Sequence, residues 1–321
     1  MLYFLITIAC FEVSLWILGY RPYQHQLYKM YSVPSNPYIG HDNLGIALNP
    51  GEYEITINEG LTFQATHLPS GIRKTRNTPI ESDQNIHFLG CSFTYGYGVN
   101  DEQTFASKIQ KVQADKKIIN HGVVGYGTAQ NYLQLQSLNL DSGDIVILCL
   151  SSEHLKRNTL SPAYRKHLKL GFENSSDNLS ELMNGARFPY LSSCDSIISY
   201  EDWFSMYTNY RGRNWFSSVN FVQTLVDEFQ EDLDNQISVT TCLLKRMYSK
   251  CNEQDVDFKV VCLDTSEETK KIQQASNEIP WLNIDFDFGN ADYTNAPFDT
   301  HPNESGHQLI ANKVLEHYFN E

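Results

Sequence analysis

The chain has 321 residues, 41% hydrophobic and 19% charged, with a formal net charge of −14. That size and composition suit a globular protein with a sizeable core and exclude a disordered chain. The acidic balance excludes nucleic acid as a main partner, because phosphate binding needs clustered Lys and Arg.

The first stretch, "MLYFLITIACFEVSLWILGY", is apolar except for Glu12 and Ser14. A bilayer-spanning helix needs about 20 such residues, so residues 1–20 predict a membrane anchor helix, a signal-anchor. It lacks a basic start and a small-residue cleavage site, which argues against a removed leader. Residues 21–83 carry scattered Pro, Gly and Tyr and short alternating pieces such as "GEYEITIN" and "LTFQATH". They predict a linker and a small β-rich layer.

From residue 84 the pattern alternates between apolar runs and helical periodicity. Five runs read as buried parallel strands: Asn85–Leu89, Lys117–Asn120, Asp144–Leu150, Asp257–Leu263 and Trp281–Phe286. Helical patterns cover Asp101–Lys111, Thr128–Asn139, Val239–Cys251, Glu267–Ser276 and Glu304–Phe319. This alternation predicts an α/β fold with an open, doubly wound parallel sheet, whose ligand site lies at the carboxyl ends of the strands. Residues 155–235 break the rhythm. They are rich in aromatics, with one amphipathic pattern at Ser217–Gln230, and predict an inserted helical cap.

Seven cysteines, with no CxxC, predict neither a disulfide framework nor a zinc site. A single bridge such as Cys242–Cys251 is the most the pattern leaves open. "DFDFGNAD" lacks the spacing of a calcium loop, so no metal site is expected.

Three stretches carry chemistry. In "HFLGCSFTYGYGVN", Ser92 falls where the first strand ends, among glycines that let a ligand approach the backbone. No phosphate-loop spacing accompanies it. "FDTHPNESGH" sets Asp299 two residues before His301, just ahead of the last helix. A serine hydroxyl needs a base to act as a nucleophile, and a histidine base needs a carboxylate to fix its tautomer. In "INHGVVGYGTAQ", Gly125 follows the second strand, where a backbone N–H could face the same site.

"GCSFTYGYGV", "NHGVVGYGT" and "DTHPNESGH" resemble, in this order, the first, second and fifth sequence blocks of the SGNH (GDSL-type) hydrolase superfamily. The resemblance covers about residues 84–321. "ILGYRP" and "PSGIR" are similar to a bacterial subgroup with an N-terminal anchor and a small β layer. The resemblance implies a three-layer, flavodoxin-like sandwich with strand order 2-1-3-4-5. It also implies a serine esterase acting through an acyl-enzyme without cofactor. The implied substrate is an ester, such as O-acetyl on a carbohydrate or cell-surface polysaccharide. An O-acyltransferase working with a membrane partner would use the same groups.

By resemblance, Ser92 is nucleophile and first oxyanion donor, Gly125 the second donor, His301 the base and Asp299 its orienter. The globular part would then be periplasmic or extracellular, although Arg21 and Lys29 after the anchor argue for the opposite side. Two departures stand out. Cys91 replaces the usual Asp before the nucleophile, and "ILCLSSEHLKRN" puts Glu153 where the third block has its oxyanion Asn. Asn158 is then the nearest amide for a third donor, and Glu153, His154 and Tyr126 are candidates for lining the cleft. Glu153 and the missing Asn motivate a rival reading, a catalytically weak carbohydrate-binding or scaffold subunit, against which the intact set of Ser92, Asp299 and His301 argues.

Overall fold

The computed structural model describes residues 2–24, 29–76, 82–173 and 179–319, so parts of the expected linker (25–28 and 77–81) and cap (174–178) lie outside it. The first element, α1 (Leu2–Ile17), has 16 residues and extends about 24 Å, against roughly 30 Å for a bilayer's apolar core. Among the described residues no helix is long and apolar enough to cross a membrane, which corrects the spanning anchor expected over residues 1–20. The helix ends before Gly19, whose φ of +92° turns the chain so that the Gly19 and Tyr20 N–H groups donate back to the Trp16 and Leu15 carbonyls.

Five short strands follow: β1 (Met30–Val33), β2 (Tyr38–His41), β3 (Gly45–Leu48), β4 (Gly51–Ile57) and β5 (Leu61–His67). β1, β4 and β5 form an antiparallel sheet, and β2 pairs with β3. Along β4 and β5 every second side chain is buried, which is the alternation their sequences carry. Ile55, Ile57 and Phe63 pack with Tyr95, Tyr97 and Tyr126 of the following part, so the small layer shares a core with it.

The main sheet contains β6 (Asn85–Gly90), β7 (Lys117–Asn120) and β8 (Ile145–Leu150). After the pair β9 (Arg187–Tyr190) and β10 (Ser199–Asp202) come its last two strands, β11 (Asp257–Cys262) and β12 (Trp281–Asn283). It runs β7-β6-β8-β11-β12, all parallel, which is the expected order 2-1-3-4-5. In β8 every residue is buried, because helices cover both faces.

The helices are α2 (Ser92–Tyr95), α3 (Phe105–Val112), α4 (Thr128–Ser137), α5 (Glu153–Asn158), α6 (Pro162–Glu173) and α7 (Leu179–Leu182). They continue with α8 (Ser217–Phe229), α9 (Leu233–Asn252), α10 (Glu267–Ala275) and α11 (Glu304–Val314). Ile147 and Cys149 face α3 and α11, where Phe105, Ile109, Ile310 and Val314 close one core. Val146 and Leu148 face the other side, where Leu135, Leu244, Met247 and Ile272 of α4, α9 and α10 close a second. The result is a three-layer α/β sandwich.

The insertion differs from its expectation in two ways. Beside α6, α7 and α8 it contains the antiparallel pair β9–β10, so it is not all helical. A disulfide joins Cys194, after β9, to Cys242 of α9, 48 residues on, while Cys251 stays free. Sequence spacing cannot reveal this bridge, because the fold brings its two ends together. α1 packs on α8: Glu12 accepts hydrogen bonds from the Ser217 and Ser218 N–H groups, which are the unsatisfied donors of the first turn of α8.

Candidate active site

β6 delivers Ser92 to the carboxyl edge of the sheet. The turn between them requires glycine at 90: φ is +155°, and a Cβ there would lie 2.1 Å from Thr94 Oγ1. Arg73, fully buried, then anchors the loop after Ser92. Its guanidinium donates to the carbonyls of Tyr95, Gly96, Val99 and Gln64 and to Asp101 Oδ1, the last at 2.9 Å. Residue 73 also bridges β5 to β7, so the small layer holds the nucleophile loop. "PSGIR" gave no chemical sign of this role.

The loop before α11 brings the other two groups. Asn295 organises it: its backbone N–H donates to the His301 carbonyl at 2.9 Å, and its carbonyl accepts from Phe298 and Asp299. Asn303 caps α11 by accepting from the Gly306 N–H at 3.0 Å. From the other side, the β4–β5 turn leans on the loop, where Asn58 Nδ2 donates to the Phe298 carbonyl at 3.0 Å.

Three side chains meet there in sequence. Ser92 Oγ lies 2.7 Å from His301 Nε2, and Nδ1 of the same ring bonds to Asp299 Oδ1. Asp299 Oδ1 also accepts the His301 backbone N–H at 2.6 Å. Burial works against the Asp299 carboxylate, but the bonds and charge of His301 hold its pKa below the usual value, so it stays ionised. The rings of Phe93 and Tyr97 lie 5.0 and 5.1 Å from the His301 ring and enclose it.

The Ser92 and Gly125 N–H groups take no part in the backbone hydrogen-bond network among the described residues. Gly125 has φ +81°, a left-handed conformation that turns the chain here, and its carbonyl is held by the Tyr164 hydroxyl at 2.6 Å.

The remaining candidates are placed elsewhere, which corrects three of them. Asn158 is fully buried; Nδ2 donates to Thr240 Oγ1 at 2.8 Å and Oδ1 accepts from Ala129 N–H at 3.0 Å. Its amide therefore ties the start of α4 to α9 instead of serving as a third oxyanion donor. Tyr126 is buried with its hydroxyl on the Ile46 carbonyl at 2.7 Å, joining β3 to the loop after β7, and the cavity it borders with His41 and His121 contains none of Ser92, Asp299 or His301. His154 is fully buried with Nδ1 3.2 Å from Thr128 Oγ1, and burial keeps it neutral, its pKa well below the ordinary value. Glu153 opens α5 with its side chain 45% exposed and its carboxylate 2.8 Å from Lys156 Nζ. Burial opposes its charge, but the bond from Lys156 and the nearby cations hold its pKa low, so Glu153 is an ionised carboxylate. Among the described residues no cluster of His, Cys, Asp or Glu could hold a metal ion.

Fold and site together define a doubly wound α/β protein with a serine, histidine and aspartate hydrogen-bonded in series at the carboxyl edge of its sheet. No family model and no curated protein matches the chain. Among solved structures it is similar to a member of the lipolytic G-D-S-L family from Veillonella parvula, at 13% identity and a TM-score of 0.40, over 74% of this chain and 100% of that one. A psychrotrophic esterase from Pseudoalteromonas sp. is similar at 14% identity and a TM-score of 0.39, over 74% and 100% of the two chains. A salicylyl-acyltransferase from a tetracycline biosynthetic pathway is similar at 9% identity and a TM-score of 0.39, over 86% of this chain and 60% of that one. At these identities the reaction has to be read from this chain's own groups.

Proposed function

We propose that the protein is a serine esterase that works through an acyl-enzyme, with Ser92 as nucleophile, His301 as general base and acid, and Asp299 as the group that orients and stabilises the imidazolium. The observation that carries this reading is the hydrogen-bonded series from Ser92 Oγ through both nitrogens of His301 to Asp299. His301 Nε2 takes the hydroxyl proton as Oγ attacks the ester carbonyl carbon. The carbonyl oxygen becomes an oxyanion, for which the Ser92 and Gly125 N–H groups are the donors. The imidazolium then gives its proton to the departing alcohol, leaving an acyl group on Ser92. Water, activated by the same histidine, releases the acid.

Ser92 is only 4% exposed, which favours a small acyl group such as acetyl. A carbohydrate or cell-surface polysaccharide as the alcohol part follows from the sequence resemblance. An added sugar hydroxyl could take the place of water, which would make the protein an O-acetyltransferase. The complete triad speaks against a purely binding subunit.

For location, the Cys194–Cys242 disulfide favours an oxidising compartment outside the cytoplasm. The apolar side chains exposed on α1, such as Phe11 and Trp16, and on α8, such as Leu225 and Phe229, favour attachment along a membrane surface. The function is tested by following p-nitrophenyl acetate with and without added oligosaccharide. Acetate release alone is expected for an esterase, and acetylated sugar at the expense of acetate for a transferase. Absence of both in folded protein refutes the proposal.

A further inference from the structure

The third sequence block lacks its amide, and the structure places a different side chain in that neighbourhood. The Arg157 side chain is only 11% exposed, although it carries a charge. Nη1 donates to the Tyr126 carbonyl at 2.9 Å, and Tyr126 follows the donor residue Gly125 directly. The guanidinium carbon lies 5.8 Å from the centroid of the Tyr164 ring, and the Tyr164 hydroxyl holds the Gly125 carbonyl.

Glu153 does not neutralise this charge closely. Its nearest approach to Arg157 is 3.8 Å, and its carboxylate bonds to Lys156 instead. Arg157 Nε is buried without a hydrogen-bond partner. A buried donor left unmatched on a cation is costly, and such groups belong where negative charge arrives.

We propose that Arg157 is the positioning residue of the oxyanion site, clamping the Gly125–Tyr126 backbone that carries the second N–H donor and setting a permanent positive charge behind it. This inference rests on the esterase reading. It explains how the chain manages with Glu153 in the asparagine slot: the planar guanidinium bonds the Tyr126 carbonyl while lying over the Tyr164 ring whose hydroxyl holds Gly125, a fit that a lysine does not reproduce. Preorganised donors and charge at the oxyanion act on the transition state more than on the bound ester.

The test compares wild type, Arg157→Lys and Arg157→Met in p-nitrophenyl acetate turnover, thermal melting, and affinity for a small boronic acid, which forms a tetrahedral adduct on Ser92. Arg157→Met is expected to lose on the order of 10²-fold in kcat with little change in KM, and boronate affinity should fall in parallel. Arg157→Lys is expected to fold and to recover only part of both losses. Wild-type kcat and boronate affinity in either folded variant overturn the inference, as does a loss confined to KM or to melting temperature. If Arg157→Met fails to fold, Arg157→Lys decides alone. A wild-type protein that neither hydrolyses the ester nor binds boronate is a distinct result and removes the esterase reading itself.

Discussion

Glu153 occupies the slot where the sequence raises the sharpest doubt about Ser92, and its surroundings decide what it can do. It is ionised, half exposed and paired with Lys156, the ordinary behaviour of a carboxylate in a first helical turn. Ion pairs this exposed contribute little to stability, typically less than about 1 kcal/mol. Glu153→Gln is therefore expected to alter both stability and activation free energy by no more than about 0.5 kcal/mol, as read from melting and ester turnover. A large fall in turnover in folded Glu153→Gln would mean that the carboxylate touches the substrate. The hydrogen-bonded set of Ser92, His301 and Asp299 was legible because a serine, histidine and carboxylate at these places have few chemical alternatives. Arg73 was not, because its work is to satisfy backbone carbonyls of Tyr95, Gly96 and Val99 far along the chain, and Asn295 was not, because its bonds within its own loop follow no periodic pattern.

At the level of elements, β6, β8 and β11 were legible because burial on both faces leaves nearly continuous apolar runs, while the edge strands β7 and β12 are only partly buried and were placed by the strand–helix alternation. The order of the strands came from the family resemblance, and the structure has that order. The helical ends were read within a few residues, with two exceptions: α9 starts at Leu233 instead of Val239, and the expected helix at Asp101–Lys111 divides at Thr104, which caps α3 by accepting from the Ser107 N–H. The cap hairpin β9–β10 was not legible. Its strands have only four residues each, and "SYED" is mostly exposed, so neither offers a periodic signal. The early end of α1 was equally hidden, since its apolar sequence continues through Leu18 while the backbone turns back. The small β layer has a place in the account beyond its own stability. Through Arg73 it braces the nucleophile loop, and through Asn58 it braces the loop of Asp299 and His301.

Across the whole molecule, the interior carries several histidines held neutral. Burial pushes the pKa of His67 down to about 4, and burial pushes those of His121 and His307 down to about 3. In the unfolded chain they titrate near the ordinary value of about 6.5. Between these values the unfolded state binds more protons than the folded one, so stability is full above pH about 6.5 and falls as the pH drops below it. Each such histidine contributes a slope of roughly 1.4 kcal/mol per pH unit once its unfolded form is protonated. The depressed pKa of Asp299 acts only at lower pH, where that carboxylate would begin to protonate. The urea midpoint is accordingly expected to fall between pH 7 and pH 5, and a flat midpoint over that range would show that these rings take up protons in the folded protein.

The central claim is that Ser92 is a nucleophile activated by His301 and Asp299. The most direct measurement is the mass of the intact protein, followed by peptide mapping, after exposure to a fluorophosphonate, which bonds its phosphorus to an activated oxygen and releases fluoride. One adduct is predicted, on Ser92, absent from Ser92→Ala and strongly slowed in His301→Ala. Unmodified wild-type protein under conditions that label another serine esterase, or an adduct on a different residue, would contradict the account.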